Sequence, residues 1–323
     1  MAKPTSFRSP FAFYETAETP PAPLFFGMDR KAFLQMKIGL IGATGYIGSR
    51  LRDAAIASGH EVVGFSRQAL PGFRRFSLDA IPDFSGLDAV VNLAGESILG
   101  LWTRQKKEKI LRSRVETTRQ VMEGLSRLPD SPSILINASA IGYYGHTGEN
   151  FVSETSPAGT GFLAQTCKAW EEATHGAVSE RKRIVRLRIG FVTGPGGAMR
   201  FVLPLFKMGL GGRLGTGRQW MSCIHVDEVA GLILWAIAND SISGPVNAVC
   251  PEPVRNTDFT RSLARVVHRP AILPAPAFAL RLALGELSRV MLDSVRVISE
   301  VALAGGYSFR YPKVEAGLQA SVE

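Results

Sequence analysis

The sequence predicts an α/β fold: a Rossmann-type, doubly wound parallel sheet followed by a small, mainly helical C-terminal lid domain. Two observations lead to this prediction. From Met36 onward, short apolar strands alternate with amphipathic helices, which is the order of a parallel sheet with crossover helices. A glycine-rich loop, Gly42 to Gly48, follows the first strand and opens the first helix.

The individual elements follow from hydrophobic periodicity, with short apolar runs as strands and apolar residues three or four apart as helices. In the first helix, Gly59 stands just past the last periodic residue and marks its end. The predicted strands are Lys37 to Ile41, Glu61 to Phe65, Ala89 to Asn92, Ser133 to Ala138, Ile184 to Phe191 and Pro245 to Cys250. The predicted helices are Tyr46 to Ser58, Thr103 to Arg127, Phe162 to Ala177 and Val229 to Asn239.

The same patterns divide the chain into three parts. Residues 1–35 are rich in proline and lack periodicity, which predicts a flexible N-terminal extension without a signal or transit peptide. Residues 36–250 form the predicted dinucleotide-binding domain, in which the glycine-rich stretch 194–221 contributes to the lid. Residues 251–323 form the predicted C-terminal domain. The lid is expected over the carboxyl edge of the sheet, where such sheets bind ligands.

Composition excludes several classes of protein. A hydrophobic fraction of 46% with 20% charged residues argues against wholesale disorder. The three cysteines, Cys167, Cys223 and Cys250, are widely spaced, so we expect neither a disulfide framework nor a metal site, and we predict a reducing, cytoplasmic location. No apolar run reaches the roughly 18 residues that span a bilayer, so no membrane span is expected.

The formal net charge of +9 does not predict a nucleic-acid partner, because the basic residues form no single tract. The densest run, residues 104–109, is interpreted as a solvated helix face. A moderate positive charge also suits a protein whose ligand carries phosphates. We expect a small-molecule substrate, and either a monomer or a homodimer.

The glycine loop predicts a dinucleotide site. Gly42 permits the tight turn, Gly45 lets the backbone approach a pyrophosphate, and Gly48 allows close packing of the helix. The helix N-terminus then offers free N–H groups to the phosphates. The predicted cofactor-binding residues are Gly42, Thr44, Gly45, Tyr46, Ile47, Gly48, Ser66, Arg67, Leu93, Ala94 and Gly95.

The end of the second strand predicts NADP(H) as the cofactor. NAD enzymes usually place Asp or Glu there to accept hydrogen bonds from the ribose hydroxyls. Here Ser66 and Arg67 occupy that place. A guanidinium can bind a 2′-phosphate that a carboxylate would repel. Arg74 or Arg75 can assist, and the alternative role of Arg67 is that of a solvent-facing arginine.

The motifs together resemble a known family. The spacing G-x-x-G-x-x-G and the element Asn92 to Gly95 are similar to the short-chain dehydrogenase/reductase superfamily, and residues 215–219 followed by Ile224 to Asp227 resemble its extended, nucleotide-sugar-modifying branch. Residues 36–320 resemble the atypical NADP-binding "epimerase family", which includes a C-terminal module of unknown function. Members have been named sugar-nucleotide epimerases or cell-division inhibitors. The narrower match is carried by residues 92–96, 113–118, 137–145, 170–171, 209–212, 217–220 and 244–247.

The sequence departs from the superfamily at the catalytic Tyr-x-x-x-Lys pair. Superfamily members use Tyr-x-x-x-Lys on one helix face, where the lysine lowers the pKa of the tyrosine so that the phenol can exchange protons with a substrate hydroxyl. The corresponding positions here are Leu163 and Cys167, and the usual serine position is Ala140. The remaining candidates for the proton donor lie in the loop after the strand Ser133 to Ala138, and Ser139 is the best placed by analogy. They are Ser139, Tyr143 and Tyr144, the two tyrosines having aromatic packing as an alternative role.

Substrate recognition is less specific in the sequence. Nucleotide-sugar enzymes often place an arginine where this chain has Met221, so a nucleotide sugar is expected by analogy only. Arg213, Arg218 and Gln219 are the candidate substrate-binding residues. In the Ile224 to Asp227 element, Asp227 is expected to cap the next helix and His225 to pack between domains. Trp170 and Glu171 are interpreted as packing and helix-surface residues.

Two functions follow from these residues. One is an NADP(H)-dependent oxidoreductase or epimerase with a non-standard proton donor, acting on an unidentified small and nucleotide-sugar-like substrate. The other is an NADP(H)-binding regulatory protein without turnover, linked through the resemblance to cell division. The glycine-rich lid favours a small-molecule pocket and hence the enzyme.

The N-terminal extension yields a first prediction. A protein that begins at Met36 should keep its melting temperature and its affinity for NADPH, because residues 1–35 precede a complete first strand and show no periodicity. Thermal unfolding and cofactor titration of the truncated and full chains check this. A markedly lower melting temperature after truncation would show that the extension belongs to the fold.

Overall fold

The computed structural model describes residues 35–129, 132–176 and 181–322. The predicted extension, residues 1–35, lies outside the described residues apart from Gln35, and Ala177, the predicted end of the third helix, lies outside them too. Within these ranges the fold is α/β, as the alternation of strands and helices predicts.

The elements follow one another in a strand–helix alternation up to about residue 250 and become mainly helical after it. In chain order they are β1 (Lys37–Ile41), α1 (Tyr46–Ala57), β2 (Glu61–Ser66), β3 (Arg74–Arg75), β4 (Ala89–Asn92), α2 (Arg104–Ser126), β5 (Ile134–Ala140), a 3₁₀ turn (Ile141–Tyr144), β6 (Phe151–Val152), α3 (Phe162–Glu172), β7 (Arg183–Ile189), β8 (Phe191–Thr193), α4 (Met199–Lys207), β9 (Trp220–Met221), β10 (Cys223–His225), α5 (Val226–Ala238), β11 (Gly244–Ala248), β12 (Val254–Arg255), α6 (Asn256–Val266), α7 (Ala277–Leu284), a second 3₁₀ turn (Gly285–Ser288), α8 (Arg289–Leu292), β13 (Arg296–Val297), α9 (Glu300–Ala304) and α10 (Val314–Gln319).

The main sheet has seven strands in the order β3-β2-β1-β4-β5-β7-β11. All of its strand pairs are parallel. The order reverses between β1 and β4, which is the switch point where doubly wound sheets open a crevice for ligands. The predicted fold class, a Rossmann-type sheet with a helical C-terminal region, is therefore confirmed.

A separate apolar core lies on each side of this sheet. One core joins β1 and β4 to α1 and α5, with Leu51 and Val229 fully buried. The other joins the sheet to α2 through Val121 and Leu125. Strands that are covered on both faces are apolar along their whole length, which is why short continuous apolar runs identified them in the sequence.

The predicted strand Ile184 to Phe191 is in fact two strands, because the chain leaves the main sheet at Gly190. A Cβ on Gly190 would lie 2.5 Å from the carbonyl oxygen of Ser222. The glycine thus lets β8 turn aside and pair with β10 instead of continuing beside β5. This turn carries the chain from the main sheet toward the C-terminal region.

Two helix boundaries differ from the sequence prediction by three residues or more, and others differ by one residue. α3 ends at Glu172, and α5 begins at Val226 with His225 as its N-cap residue, whose Nδ1 accepts from the N–H of Asp227. Asp227 is therefore not the cap. Its carboxylate instead accepts from Nε and Nη2 of Arg50 on α1, at 2.9 and 2.6 Å. This pair ties α1 to α5.

His225 packs between the two parts of the chain, as predicted. It is 2% exposed, and its ring meets that of Tyr311 edge-on at 4.7 Å between centroids. Burial lowers the pKa of His225, so the ring is neutral where it contacts the C-terminal segment.

Two buried glutamates hold the C-terminal region against the sheet. Glu154 accepts from the backbone N–H of Asn247 on β11 and from the N–H groups of Glu300 and Val301 at the start of α9. Glu228 on α5 accepts from the hydroxyl of Tyr307 and from the N–H of Tyr311, both at 2.6 Å. Burial raises the pKa of both carboxyl groups.

The stretch from α7 to α8 begins with a more loosely attached helix. None of the residues of α7 is buried, and Phe278 and Leu282 are exposed on its surface. The contact of this stretch with α2 is an ion pair at 2.6 Å between Lys107 and Glu286, both partly solvent-exposed. The stretch thus reaches from the C-terminal region across to the helices of the main sheet.

The predicted lid segment also contacts the C-terminal region. β9 pairs antiparallel with β12, and Leu214 forms a bridge with Ala275. Separately, none of the helices in the described ranges has the length and apolarity that crossing a membrane requires.

Glu228 yields a prediction about stability. Glu228→Ala removes the acceptor of two buried donors, and each such donor left without a partner costs about 1–3 kcal/mol. We therefore expect the free energy of unfolding, measured with urea, to fall by at least about 2 kcal/mol. Glu228→Gln is the matched control, because its amide can donate to Tyr307 while its oxygen still accepts from Tyr311. Equal stability of the alanine and glutamine variants would contradict the anchoring role.

Candidate functional site

The glycine loop forms a tight cradle at the N-terminus of α1. Gly42 has a φ of +86°, and a Cβ on it would lie 3.0 Å from the backbone of Leu93. A Cβ on Gly48 would lie 2.1 Å from the carbonyl oxygen of Gly42. Both positions exclude side chains, in agreement with the roles predicted for the turn and for close helix packing.

The first turn of α1 is open to a ligand. Its N-cap residue is Gly45, which has no side chain to cap the helix, and the first turn carries no acidic residue. Thr44 and Gly45 are exposed. The N–H groups of this turn therefore have the arrangement that binds phosphate groups at helix N-termini.

Tyr46 and Ile47 support the loop from behind. Ile47 packs against the core between the sheet, α1 and α5. The ring of Tyr46 lies against the glycine-rich turn after β8, where a Cβ on Gly194, Gly196 or Gly197 would collide with it. The predicted cofactor loop and the start of the lid segment thus touch through Tyr46.

A buried amide network shapes the loop after β4. Asn92 donates to Asn137 at 2.8 Å, and its own Oδ1 accepts from the N–H of Ala94. Leu93 and Ala94 pack against the cores on the two faces of the sheet. This fixes the backbone from Leu93 to Gly95 directly beside the glycine loop.

The end of β2 presents a cationic surface. Arg67 is exposed and forms no hydrogen bond or ion pair with the described residues. Across the loop, Glu96 has a lowered pKa because Lys106 donates to it, and the charges of Lys109 and Arg67 add to the effect. Three cations therefore surround one carboxylate. The sequence interpretation of residues 104–109 as a solvated face missed this grouping.

The neighbours of Arg67 differ in whether their side chains are free to bind a 2′-phosphate. The hydroxyl of Ser66 accepts from the N–H of Gln68 at 3.0 Å, so it shapes the turn and keeps its proton for another acceptor. Arg74 donates to the carbonyl oxygens of Asp83 and Ser85. Arg75 is exposed and lies opposite Ser66 in the sheet register.

At the positions of the missing catalytic pair, Leu163 and Cys167 pack closely against the 3₁₀ turn. A Cβ on Gly142 would lie 3.3 Å from Cβ of Leu163 and 3.7 Å from Sγ of Cys167. Cys167 is 4% exposed, and burial raises the pKa of its thiol to about 12. A neutral thiol and a leucine cannot replace a phenol beside an ammonium group.

Two of the predicted proton donors belong to a buried polar network. Ser139 donates to Oε1 of Glu171 at 2.6 Å. Arg188 binds the same carboxylate through Nε and Nη2, at 2.8 and 2.9 Å. Nη1 of Arg188 donates to the hydroxyl of Tyr144, which in turn donates to Oδ1 of Asn247. Burial raises the pKa of Tyr144 to about 12.

Glu171 is therefore not a helix-surface residue, contrary to the sequence interpretation. It is 6% exposed, and its partner Arg188 is 3% exposed. Burial of both charges together is feasible because the pair is bidentate and each group has further hydrogen bonds. β7 carries three arginines among its apolar residues, and an arginine within a central strand was the signal in the sequence for a buried acidic partner. Trp170 is buried and donates to Thr118, which agrees with its predicted packing role.

Tyr143 differs from Ser139 and Tyr144. It is half-buried, and its hydroxyl forms no hydrogen bond with the described residues. The guanidinium of Arg188 lies 3.6 Å from the centre of its ring. On its other side Tyr143 reaches the apolar cluster around Val297, where the sheet edge meets the C-terminal region.

The predicted substrate residues lie in the loop before β9. Gln219 is buried, and its Nε2 donates to the carbonyl oxygens of Leu214 and Met291, so it ties the lid segment to α8. Arg213 donates to carbonyl oxygens of its own loop, and Arg218 is exposed. The structure does not gather these three side chains at one point.

The chain matches two family profiles. The first is the NAD dependent epimerase/dehydratase family, over residues 38–248. The second is a domain of unknown function, DUF1731, over residues 275–321. The two matches correspond to the main sheet with its helices and to the C-terminal region.

Relatives match over nearly their whole length. The Epimerase family protein YfhF of Bacillus subtilis is 36% identical over 293 residues, covering 88% of this chain and 97% of the relative. The chloroplastic Epimerase family protein SDR39U1 homolog of Arabidopsis thaliana is 34% identical over 345 residues, covering 100% and 99%. The crystal structure of human epimerase family protein SDR39U1 (isoform 2) with NADPH has a TM-score of 0.85 and 31% identity, covering 88% of this chain and 99% of the human chain. The chain therefore belongs to the epimerase family, the NAD dependent epimerase/dehydratase family with a C-terminal DUF1731 domain.

Proposed function

We propose that this protein binds NADP(H) at the carboxyl edge of its sheet and transfers hydride to or from an unidentified small substrate. The observation that carries the proposal is the exposed guanidinium of Arg67 at the end of β2, with Lys106 and Lys109 nearby. The uncapped first turn of α1 supplies N–H groups for the pyrophosphate. The human relative crystallised with NADPH supports the same choice of cofactor.

The bound cofactor would supply or accept the hydride, and the chain must supply or accept the proton. Of the three predicted donors, the arrangement favours Tyr143. The proton of Ser139 is held by Glu171, and that of Tyr144 is held by Asn247. The hydroxyl of Tyr143 is free of such bonds within the described residues, and it lies where the sheet edge meets the C-terminal region. Ser139 and Tyr144 then act on Tyr143 through the position of Arg188.

The second candidate function is regulatory binding of NADP(H) without turnover. The observation that favours it is the packing of Leu163 and Cys167 against Gly142, in place of a proton-transferring pair. The cytoplasmic location and the choice between monomer and homodimer also remain predictions, and the plant relative's name assigns that protein to the chloroplast.

One experiment separates the two functions. The purified protein is denatured, and the released nucleotide and any further ligand are identified by mass spectrometry. Protein loaded with NADPH is then assayed for oxidation of the cofactor with the identified ligand and with UDP-sugars. Turnover supports the enzyme, with weak or no activity expected on UDP-sugars because Met221 replaces the arginine. Tight binding without any turnover supports the regulatory protein.

Arg67 yields a prediction about cofactor choice. Hydrogen bonds to charged groups contribute about 1.5–3 kcal/mol, so Arg67→Ala should weaken NADPH binding roughly ten- to a hundredfold. NADH binding should hardly change, because NADH lacks the 2′-phosphate. Arg261→Ala, at an exposed arginine on α6, is the control in the same fluorescence titrations. Equal affinity of the unmodified protein for NADH and NADPH would refute the assignment.

The tyrosines of the 3₁₀ turn yield a prediction about the proton donor. Tyr143→Phe should lower the rate of hydride transfer in stopped-flow by about 10²–10⁴-fold while the Kd of NADPH stays the same. Tyr144→Phe should instead lower the melting temperature, because it removes a buried partner of Arg188. With its pKa at about 12, Tyr144 should produce no change in the pH–rate profile below pH 10. An unchanged rate in the Tyr143 variant would shift the proton source to another group.

A further inference from the structure

Arg114 is held against the end of β4 by a close fit. It lies in the middle of α2, and its Nη1 donates to the carbonyl oxygens of Glu96 and Ile110, at 2.9 and 3.0 Å. A Cβ on Gly95 would lie 3.2 Å from Cζ of Arg114. The missing side chain at Gly95 thus leaves the room that the guanidinium occupies.

The charge of Arg114 has no ion-pair partner among the described residues. None of the described acidic residues forms an ion pair with it, and its Nε and Nη2 make no hydrogen bond with the described residues. The carboxylate of Glu96 forms its ion pair with Lys106, at 2.6 Å, and affects Arg114 through longer-range electrostatic attraction. Burial lowers the pKa of Arg114, which shows that the protein partly desolvates this cation. A desolvated charge without a counter-ion is costly, so a bound group with oxygen atoms would stabilise it.

Arg114 lies on the side of the sheet where the second half of a dinucleotide is expected. In a sheet of this order a dinucleotide crosses the switch point between β1 and β4, with one mononucleotide on each half. Arg67 belongs to the β1–β2 half, which therefore takes the adenosine 2′-phosphate. Gly95 and Arg114 belong to the β4–β5 half, where we expect the nicotinamide mononucleotide.

The neighbours of Arg114 on α3 include the position of the missing lysine. Cζ of Arg114 lies 5.0 Å from the ring centre of Trp170, and its charge acts on the thiol of Cys167. Cys167 is the position where the Tyr-x-x-x-Lys pair would place its lysine. A cation therefore reaches this part of the site from α2 although α3 provides none.

We propose that Arg114 binds oxygen atoms of the nicotinamide mononucleotide half of NADP(H), and that it supplies from α2 the positive charge that a lysine at position 167 would supply from α3. The two nitrogens that are free of described partners, Nε and Nη2, provide the donors for these oxygens. This role rests on the proposed function, since it requires that the protein bind the dinucleotide.

The test compares two ligands that share only the adenosine half. NADPH and 2′,5′-ADP are titrated into the unmodified protein, Arg114→Met, Arg114→Gln and the control Arg112→Met, whose arginine is exposed on the same helix. Both Arg114 variants should raise the Kd of NADPH about ten- to a hundredfold. The Kd of 2′,5′-ADP should change less than about threefold, by the same arithmetic. Arg112→Met should change neither.

Arg114→Gln controls for loss of the hydrogen bond that holds the loop after β4, because its amide can still donate to the carbonyl oxygen of Glu96. The conservative variant adds a second measurement: Arg114→Lys keeps the positive charge and should lose less NADPH affinity than Arg114→Met. Unchanged NADPH binding in Arg114→Met and Arg114→Gln, equal loss for both ligands, or equal loss in Arg114→Lys and Arg114→Met would overturn the proposal. If the unmodified protein binds neither ligand, the proposed function itself fails. If the unmodified protein binds both ligands and the Arg114 variants bind them equally well, the role of Arg114 fails while the proposed function stands.

Discussion

The bidentate ion pair between Arg188 and Glu171 is the interaction on which the site depends. It joins β7 to α3 and reaches β5 through Ser139, with which Arg188 is in register. Through Tyr144 it continues to Asn247 on β11. Removing one partner of a buried pair of this kind typically destabilises a protein by about 3–5 kcal/mol, because the other charge is left without compensation. The pair thus fixes four elements around the turn that carries Tyr143.

These contacts account for the residues found on α3, the helix that carries the Tyr-x-x-x-Lys pair in superfamily members. In α3, Leu163 and Cys167 face Gly142 in close packing, and Glu171 serves the ion pair, so the face that would carry a tyrosine and a lysine is structural. The hydroxyl and the cation that we propose for proton transfer and cofactor binding, those of Tyr143 and Arg114, lie instead on the 3₁₀ turn and on α2. The fold is therefore that of the superfamily, while the side chains proposed to act on the cofactor and substrate lie on elements other than α3.

The sequence predicted six of the seven main-sheet strands because these strands are mainly apolar, and it missed the short, partly exposed β3 (Arg74–Arg75). The glycine loop was equally predictable, since Gly42 and Gly48 stand where any side chain would collide with backbone. The exact helix ends were not, because His225 rather than Asp227 caps α5, and a histidine is not a usual cap. The sequence distance between Glu171 and Arg188 hid their pairing, and only the register of β5 and β7 brings Ser139 to them. Likewise, the role of Arg114 depends on the space that Gly95 leaves, which periodicity does not reveal.

The anchors of the C-terminal region have a consequence for how a small molecule enters. Glu154 and Glu228 bind backbone groups near α9 and before α10 in buried hydrogen bonds, so lifting the whole region from the sheet would expose several donors at once. The stretch from α7 to α8 is held at its end by Gln219, which donates to the carbonyl oxygen of Met291. Helix α7 itself has no buried residue, and the exposed ion pair Lys107–Glu286 contributes about 0–1 kcal/mol. A small molecule that enters under α7 therefore displaces a helix without buried residues and leaves the anchors at α9 and before α10 intact.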